Sequence, residues 1–97
     1  MLKRNKIAED GIFKAIEAFD HGKMALKYNL SLNLERYIPP GTHVTYTWGK
    51  KPPVKVEIIY FCDDGEILVK GVGPRASGKE YYIHCNGIDK VLIKNNL

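Results

Sequence analysis

The 97-residue sequence has little of what marks disulfide-stapled, secreted or membrane proteins. It contains two cysteines, Cys62 and Cys85, whereas a small secreted domain stapled by disulfides usually has more. The N-terminus lacks an apolar core of signal-peptide length, and no run of about 18 apolar residues occurs. We therefore expect a cytoplasmic protein in a reducing compartment, with no membrane-spanning helix.

No block of one charge is present either. Fifteen Lys and Arg residues against eleven Asp and Glu residues give a net charge of +4 and a pI near 9.1, and each half of the chain is mildly basic. Such a charge permits an acidic partner such as nucleic acid without requiring one. With 44% hydrophobic residues, the chain is predicted to form a single domain, 1–97, with a modest core.

A complete catalytic motif is also missing. Gly73–Lys79 fits the GxxxxGK spacing of a phosphate-binding loop, but Glu80 stands where that motif needs a Ser or Thr that binds magnesium. The residues after it have the pattern of a strand, so no helix N-terminus follows the loop. We therefore interpret the segment as a flexible hairpin loop and expect no enzyme activity and no cofactor.

The possible metal ligands have the wrong spacing for a structural zinc site. Cys62 and Cys85 are 23 positions apart, whereas paired zinc cysteines are usually separated by about two to four residues. His84 precedes Cys85 directly, so on a strand the two side chains lie on opposite faces. We predict no metal site.

One amphipathic helix is predicted at about residues 7–20. Ile12, Ile16 and Phe19 recur at spacings of four and three, which places them on one face of a helix. His21-Gly22 is a typical C-terminal stop, because glycine readily adopts the left-handed conformation. We expect this apolar face to cover an open face of a sheet.

The next segment, about residues 23–35, is predicted to be a strand. Apolar residues alternate strictly with others from Met24 to Leu34, which is the periodicity of a strand, although the residue types favour a helix. A strand of this length could offer its edge to another chain. A homodimer through Met24–Leu34 is therefore possible.

Alternation and turn residues predict further strands at about 42–48, 54–62, 66–72, 79–85 and 88–94. Asp63-Asp64-Gly65 and Asn86-Gly87 are typical of hairpin turns. In the second of these strands, alternation places Tyr60 on the same face as Val56 and Ile58. The predicted fold class is mostly β within α+β, with one N-terminal helix and five or six antiparallel strands. These strands would form a curled sheet or a small barrel, and from Thr42 to Lys94 the strand count and turn spacing resemble an SH3-like barrel.

Aromatic and basic residues occur together in two stretches. The candidate binding residues are Trp48, Lys50, Lys51, Arg75, Lys79 and Tyr82. Barrels that bind single-stranded nucleic acid combine rings that stack on bases with cations that contact phosphates. Alternation places Trp48 on the same face as Val44 and Tyr46, which leaves open whether it belongs to the core or to the surface.

Two functions are consistent with these features. The first is a non-catalytic module that binds nucleic acid through the basic and aromatic residues. The second is a module that binds a protein, such as a small inhibitor or adaptor of the kind encoded by phages and mobile elements. The net charge slightly favours nucleic acid.

Overall fold

A computed structural model of the chain describes residues 2–23, 27–62, 65–73 and 78–94. In this part of the chain two helices accompany a six-stranded antiparallel sheet, so the predicted mostly-β α+β fold with an N-terminal helix is confirmed. The elements, in chain order, are β1 (Leu2–Arg4), α1 (Lys6–Asp20), α2 (Lys27–Tyr37), β2 (His43–Tyr46), β3 (Val54–Phe61), β4 (Glu66–Gly71), β5 (Glu80–His84), a 3-10 turn (Cys85–Gly87) and β6 (Ile88–Lys94).

The sheet is curled but not closed. Its strand order is β1-β6-β2-β3-β4-β5, so the meander β2 to β5 is followed by a strand that returns to pair with β2. In a flat sheet β5 and β6 would lie four strand spacings apart, about 19 Å. The four residue steps from His84 to Ile88 reach only about 14 Å, so the sheet must bend to bring these strands together.

The first helix agrees with its predicted position. Asn5 caps it, because the Asn5 side chain accepts a hydrogen bond from the backbone N–H of Ala8 at 3.1 Å. The helix ends at His21-Gly22, where Gly22 has φ +72° and donates to the carbonyl of Phe19. No helix among the described residues is long and apolar enough to cross a membrane.

The strand predicted at about residues 23–35 is wrong. Residues 27–37 form α2, and residues 24–26 lie outside the described part of the chain. Leu30, Leu34 and Ile38 are buried at a helical spacing of four, whereas Leu32 is 48% exposed. The segment described here therefore offers no strand edge for a dimer, and helix propensity has prevailed over the alternating pattern.

The two helices and the inner face of the sheet enclose one core. Its members from the helices are Ala8, Ile12, Ala15, Leu30 and Leu34, with Ile38 directly after α2. Its members from the sheet and the 3-10 turn are Val44, Tyr46, Val56, Ile58, Ile67, Val69, Ile83, Cys85, Ile88 and Val91. Ile16 and Phe19 pack against this core as the sequence predicts. The opposite face of the sheet, which we call the outer face, carries exposed charged residues such as Lys55, Lys70 and Glu80.

Asn86-Gly87 does not form the predicted hairpin. Gly87 lacks the positive φ that a type I′ turn requires, and β6 pairs with β1 and β2 rather than with β5. The backbone N–H of Asn86 instead donates to Nδ1 of His84, and the carbonyl of Gly87 accepts from Thr47 at 2.9 Å. A Cβ at residue 87 would overlap the ring of Tyr46, so close packing explains this glycine.

A β-bulge in β3 reverses the predicted direction of Tyr60. The register with β4 shifts between Ile58 and Tyr60, so Ile59 is an extra residue without an opposite partner. After the bulge, Tyr60 lies opposite Leu68 on the outer face and is 63% exposed. Phe61 takes the inward position and packs against the core, so the prediction that Tyr60 shares the face of Ile58 is wrong.

A buried carboxylate holds the N-terminal strand in place. The Glu9 side chain is 3% exposed and accepts hydrogen bonds from Nε of Arg4 at 2.9 Å and from the backbone N–H of Val91 at 3.0 Å. The backbone N–H of Asn5 also donates to the carbonyl of Val91 at 2.7 Å. The edge of β6 is thus covered by β1 and, beyond Arg4, by the start of α1.

Candidate functional site

The ring of Trp48 belongs to the surface. It stacks on the ring of Tyr46, with centroids 6.4 Å apart and an angle of 29° between the planes. Tyr46 is 8% exposed, whereas Trp48 is 63% exposed. Burial raises the pKa of the Tyr46 phenol, and the neighbouring Tyr81 raises it further, so Tyr46 stays neutral. A buried, neutral ring therefore supports an exposed one.

The loop after Trp48 places two lysines beside this ring. The backbone N–H of Lys51 donates to the carbonyl of Trp48 at 3.1 Å, and Gly49, at φ +57°, allows the chain to turn between them. Lys50 and Lys51 are both exposed. Two of the predicted cations thus adjoin the exposed aromatic ring.

Three segments meet at this end of the sheet, which we call the basic end: residues 47–55, 78–80 and 87–90. Backbone hydrogen bonds join Thr47 to Gly87 and Val72 to Lys55, and Gly71, the neighbour of Val72, bonds to Lys79. Together the segments carry five exposed lysines and two acidic residues. The lysines are Lys50, Lys51, Lys55, Lys79 and Lys90, and the acids are Glu80 and Asp89.

Sequence reasoning missed two of these lysines. Lys55 and Lys90 both lie opposite Thr45, one on each neighbouring strand, so their backbones are two strand spacings apart, about 10 Å. Only the pairing of β6 with β2 brings them together, and the prediction paired β6 with β5. The predicted Arg75 lies outside the described residues, although Lys79, which follows the same loop, is part of the basic end.

The structure places Tyr82 away from Trp48. Tyr82 belongs instead to a row of three side chains, Tyr60, Leu68 and Tyr82, which we call the aromatic row. Leu68 lies opposite Tyr60 on one side and Tyr82 on the other, so the three side chains cross β3, β4 and β5 on the outer face. Tyr60 and Tyr82 are 63% and 62% exposed. Tyr60 follows Lys55 by five residue steps, about 16 Å along β3.

Acidic residues border the aromatic row. On the side toward the basic end, Glu57, Lys70 and Glu80 lie opposite one another on the three strands. On the other side Glu66 lies opposite His84. Glu57 also contacts Nε2 of His43 through its carboxylate at 3.2 Å. Three glutamates and one lysine thus surround the row, which makes its electrostatic environment opposite to that of the basic end.

The cysteines and histidines do not form a recognisable metal centre. No group of three or more His, Cys, Asp or Glu residues could hold a metal ion among the described residues. Cys85 is buried in the core, and desolvation, reinforced by the negative charge of Asp20, raises the pKa of its thiol to about 11. A thiol of this kind is a poor nucleophile and a poor ligand at neutral pH.

Comparison of the chain with protein-family models, with curated proteins and with solved structures finds no significant match.

Proposed function

We propose that the basic end binds single-stranded nucleic acid without catalysing a reaction. Trp48 stacks on an unpaired base, and the surrounding lysines contact the phosphates. The observation that supports this most directly is the exposed Trp48 ring, backed by Tyr46, at the same end of the sheet as five lysines.

The aromatic part of the site favours a single strand. Stacking needs an open base face, which a paired base inside a duplex does not offer. Such stacking contributes about 1–3 kcal/mol per base. The contact with Tyr46 restricts the Trp48 ring before a base binds, which reduces the side-chain freedom that is lost on binding.

The lysines supply the attraction to phosphate. Lys50 and Lys51 adjoin Trp48, and Lys55 and Lys90 extend the positive charge across β3 and β6. Each phosphate that a lysine neutralises on a single strand steepens the salt dependence of binding by about 0.7 in the slope of log K against log salt. The affinity of this site is therefore expected to fall steeply as the salt concentration rises.

An intracellular setting is part of the proposal. Nucleic acid is available there, and the buried thiol of Cys85 suits a reducing compartment.

Titration of the full chain with labelled oligonucleotides at low salt tests the proposal. Trp48 is the single tryptophan of the sequence, so its fluorescence reports directly on the site. We expect a single-stranded 12-mer to bind at micromolar protein and to quench Trp48, and a duplex of the same sequence to bind more weakly. Absence of binding at micromolar protein, or equal binding with unchanged Trp48 fluorescence, would contradict the proposal.

A further inference from the structure

The aromatic row is unusual because it places large apolar and aromatic side chains on the outer face of the sheet. Other cross-strand pairs on the outer face of β2, β3 and β4 are polar or charged, as in the pairs of Thr45 with Lys55 and of Glu57 with Lys70. The row instead brings Tyr60, Leu68 and Tyr82 into register across three strands, and both tyrosines are more than 60% exposed. Exposed aromatic residues in such a cluster are characteristic of interaction surfaces.

The charge around the row is unsuitable for a polyanion. Glu57, Glu66 and Glu80 adjoin it on two sides, and Lys70 is the single lysine among these bordering positions. A phosphate chain on the row would therefore face three carboxylates. A cation is favoured both by the carboxylates and by the faces of the two tyrosine rings, which attract Lys and Arg.

We propose that the aromatic row is a second interaction surface. It binds a segment of a partner protein in which aliphatic residues are mixed with arginine or lysine. Aliphatic side chains of that segment contact Leu68, and its cations lie over Tyr60 and Tyr82 and pair with the bordering glutamates. Binding of a protein on the row does not depend on the nucleic-acid proposal, since the row contains neither Trp48 nor its loop, although Glu80 borders the row and also belongs to the basic end. A role as an adaptor, with nucleic acid at the basic end and a protein on the row, rests in addition on the proposed function.

A pair of probe peptides tests the charge preference. The first is a terminally blocked heptapeptide of alternating arginine and leucine, and the second has glutamate in place of each arginine. Amide chemical shifts of the isotopically labelled full chain are followed during titration. We expect the arginine peptide to shift the amides of β3, β4 and β5 around Leu68, and the glutamate peptide to leave them unchanged.

Variants separate binding from a structural role of the tyrosines. The double variant Tyr60→Ser/Tyr82→Ser should lose at least about tenfold in affinity for the arginine peptide, whereas Ile7→Ala/Leu32→Ala, which trims exposed apolar residues elsewhere, should bind normally. Because cross-strand pairs also stabilise a sheet, thermal unfolding checks that the serine variant is folded under the assay conditions.

A charge-reversal variant tests the role of the bordering glutamates. In Glu66→Lys/Glu80→Lys the preference between the two peptides should reverse, so that the glutamate peptide binds more tightly than the arginine peptide.

Several outcomes would overturn the inference. Equal binding of the two peptides, no shifts around Leu68, or unchanged affinity of the tyrosine variant would each contradict it. Self-association of the chain that is abolished by the tyrosine substitutions would instead assign the row to a second copy. If an oligonucleotide shifts these amides and the arginine peptide does not, the row belongs to the nucleic-acid site.

Discussion

The ring of Trp48 stacks on the ring of Tyr46, with 6.4 Å between the centroids. Tyr46 belongs to the core and Trp48 to the basic end, so this contact links the two regions. The Tyr46 ring in turn lies so close to Gly87 that a Cβ at residue 87 would overlap it. A side chain in the 3-10 turn between β5 and β6 would therefore displace Tyr46, on which the exposed indole rests. This relationship makes the position of Trp48 sensitive to a residue that does not touch a ligand.

Replacement of Gly87 by alanine should displace Tyr46 and, with it, Trp48. We expect a loss of about 1–3 kcal/mol in the free energy of unfolding, which is typical of overpacking, and a red shift in Trp48 emission. Urea unfolding followed by fluorescence measures both. Gly73→Ala is the matched control, because a Cβ there meets no atom within 4 Å, and it should change neither quantity. Equal stability of the two variants would contradict the packing argument.

Two leucines distinguish the helix α2 from the predicted strand. Leu34 is fully buried and Leu32 is 48% exposed. Leu34→Ala should therefore lower the free energy of unfolding by about 2–5 kcal/mol, whereas Leu32→Ala should change it by no more than about 0.5 kcal/mol. In a strand both residues would lie on one face, and the two substitutions would have similar effects. Chemical denaturation of the two variants gives the comparison, and similar losses would argue against the helix.

The misleading pattern in this segment has a physical explanation. In α2 Leu30, Ser31 and Leu34 are buried, and Ile38, directly after the helix, continues their helical stripe. Leu30 and Leu34 are also positions of a period-2 alternation. Leu32 completes that alternation although it faces solvent. Burial against α1 and the sheet decides between the two periods, and a local pattern does not contain that information.

Other parts of the fold were predictable to different degrees. The strands from His43 to Lys94 follow alternation closely, so their positions agree with the sequence. The bulge at Ile59 has one local sign, the unbroken apolar run from Ile58 to Phe61, which interrupts the alternation but does not show which residue is the extra one. Tyr60 was therefore missed as a surface residue, and its neighbour Tyr82 was assigned to the basic site.

We expect the buried carboxylate of Glu9 to stabilise the fold mainly through the hydrogen bond that it accepts from the backbone N–H of Val91 in β6. Glu9→Ala leaves the buried N–H of Val91 without an acceptor, which should cost about 1–3 kcal/mol. Arg4→Ala should cost less, because the backbone N–H of Val91 keeps its acceptor, although the Glu9 carboxylate, which is 3% exposed, loses its charged partner. Urea unfolding of both variants gives the order of the losses.

Two more variants complete the test of Glu9. Glu9→Gln keeps an acceptor oxygen for Val91 and should lie between the wild type and Glu9→Ala. Glu17→Ala removes an exposed carboxylate from the same helix and should be nearly neutral. If Arg4→Ala is as costly as Glu9→Ala, the ion pair with Arg4 is the main contribution and our assignment is wrong.

The stability of the protein should fall in alkaline solution because of Cys85. The folded-state pKa of this thiol is raised from 9.0 to about 11, so between these values the folded protein keeps a proton that the unfolded chain releases. The free energy of unfolding therefore decreases as the pH rises through this window, by up to about 3 kcal/mol. Urea unfolding in a reducing buffer at pH 8 and pH 10.5 measures the loss.

Cys85→Ala isolates this effect from other groups that titrate in the same range, such as Tyr46 and Tyr81. The variant should lose less stability than the wild type over the same pH interval, whatever its absolute stability. Parallel pH dependences of the two proteins would show that the thiol of Cys85 does not titrate differently in the folded and unfolded states.

The most direct test of the central claim compares two variants of equal net charge. Lys50→Gln/Lys51→Gln and Lys14→Gln/Lys23→Gln each remove two exposed lysines, but only the first pair lies at the basic end. Binding of a single-stranded oligonucleotide is measured from 50 to 300 mM salt by anisotropy. We predict that the slope of log K against log salt becomes about 1.4 less steep in the first variant and stays unchanged in the second. Equal slopes in the two variants would mean that the overall charge, and not the basic end, binds nucleic acid.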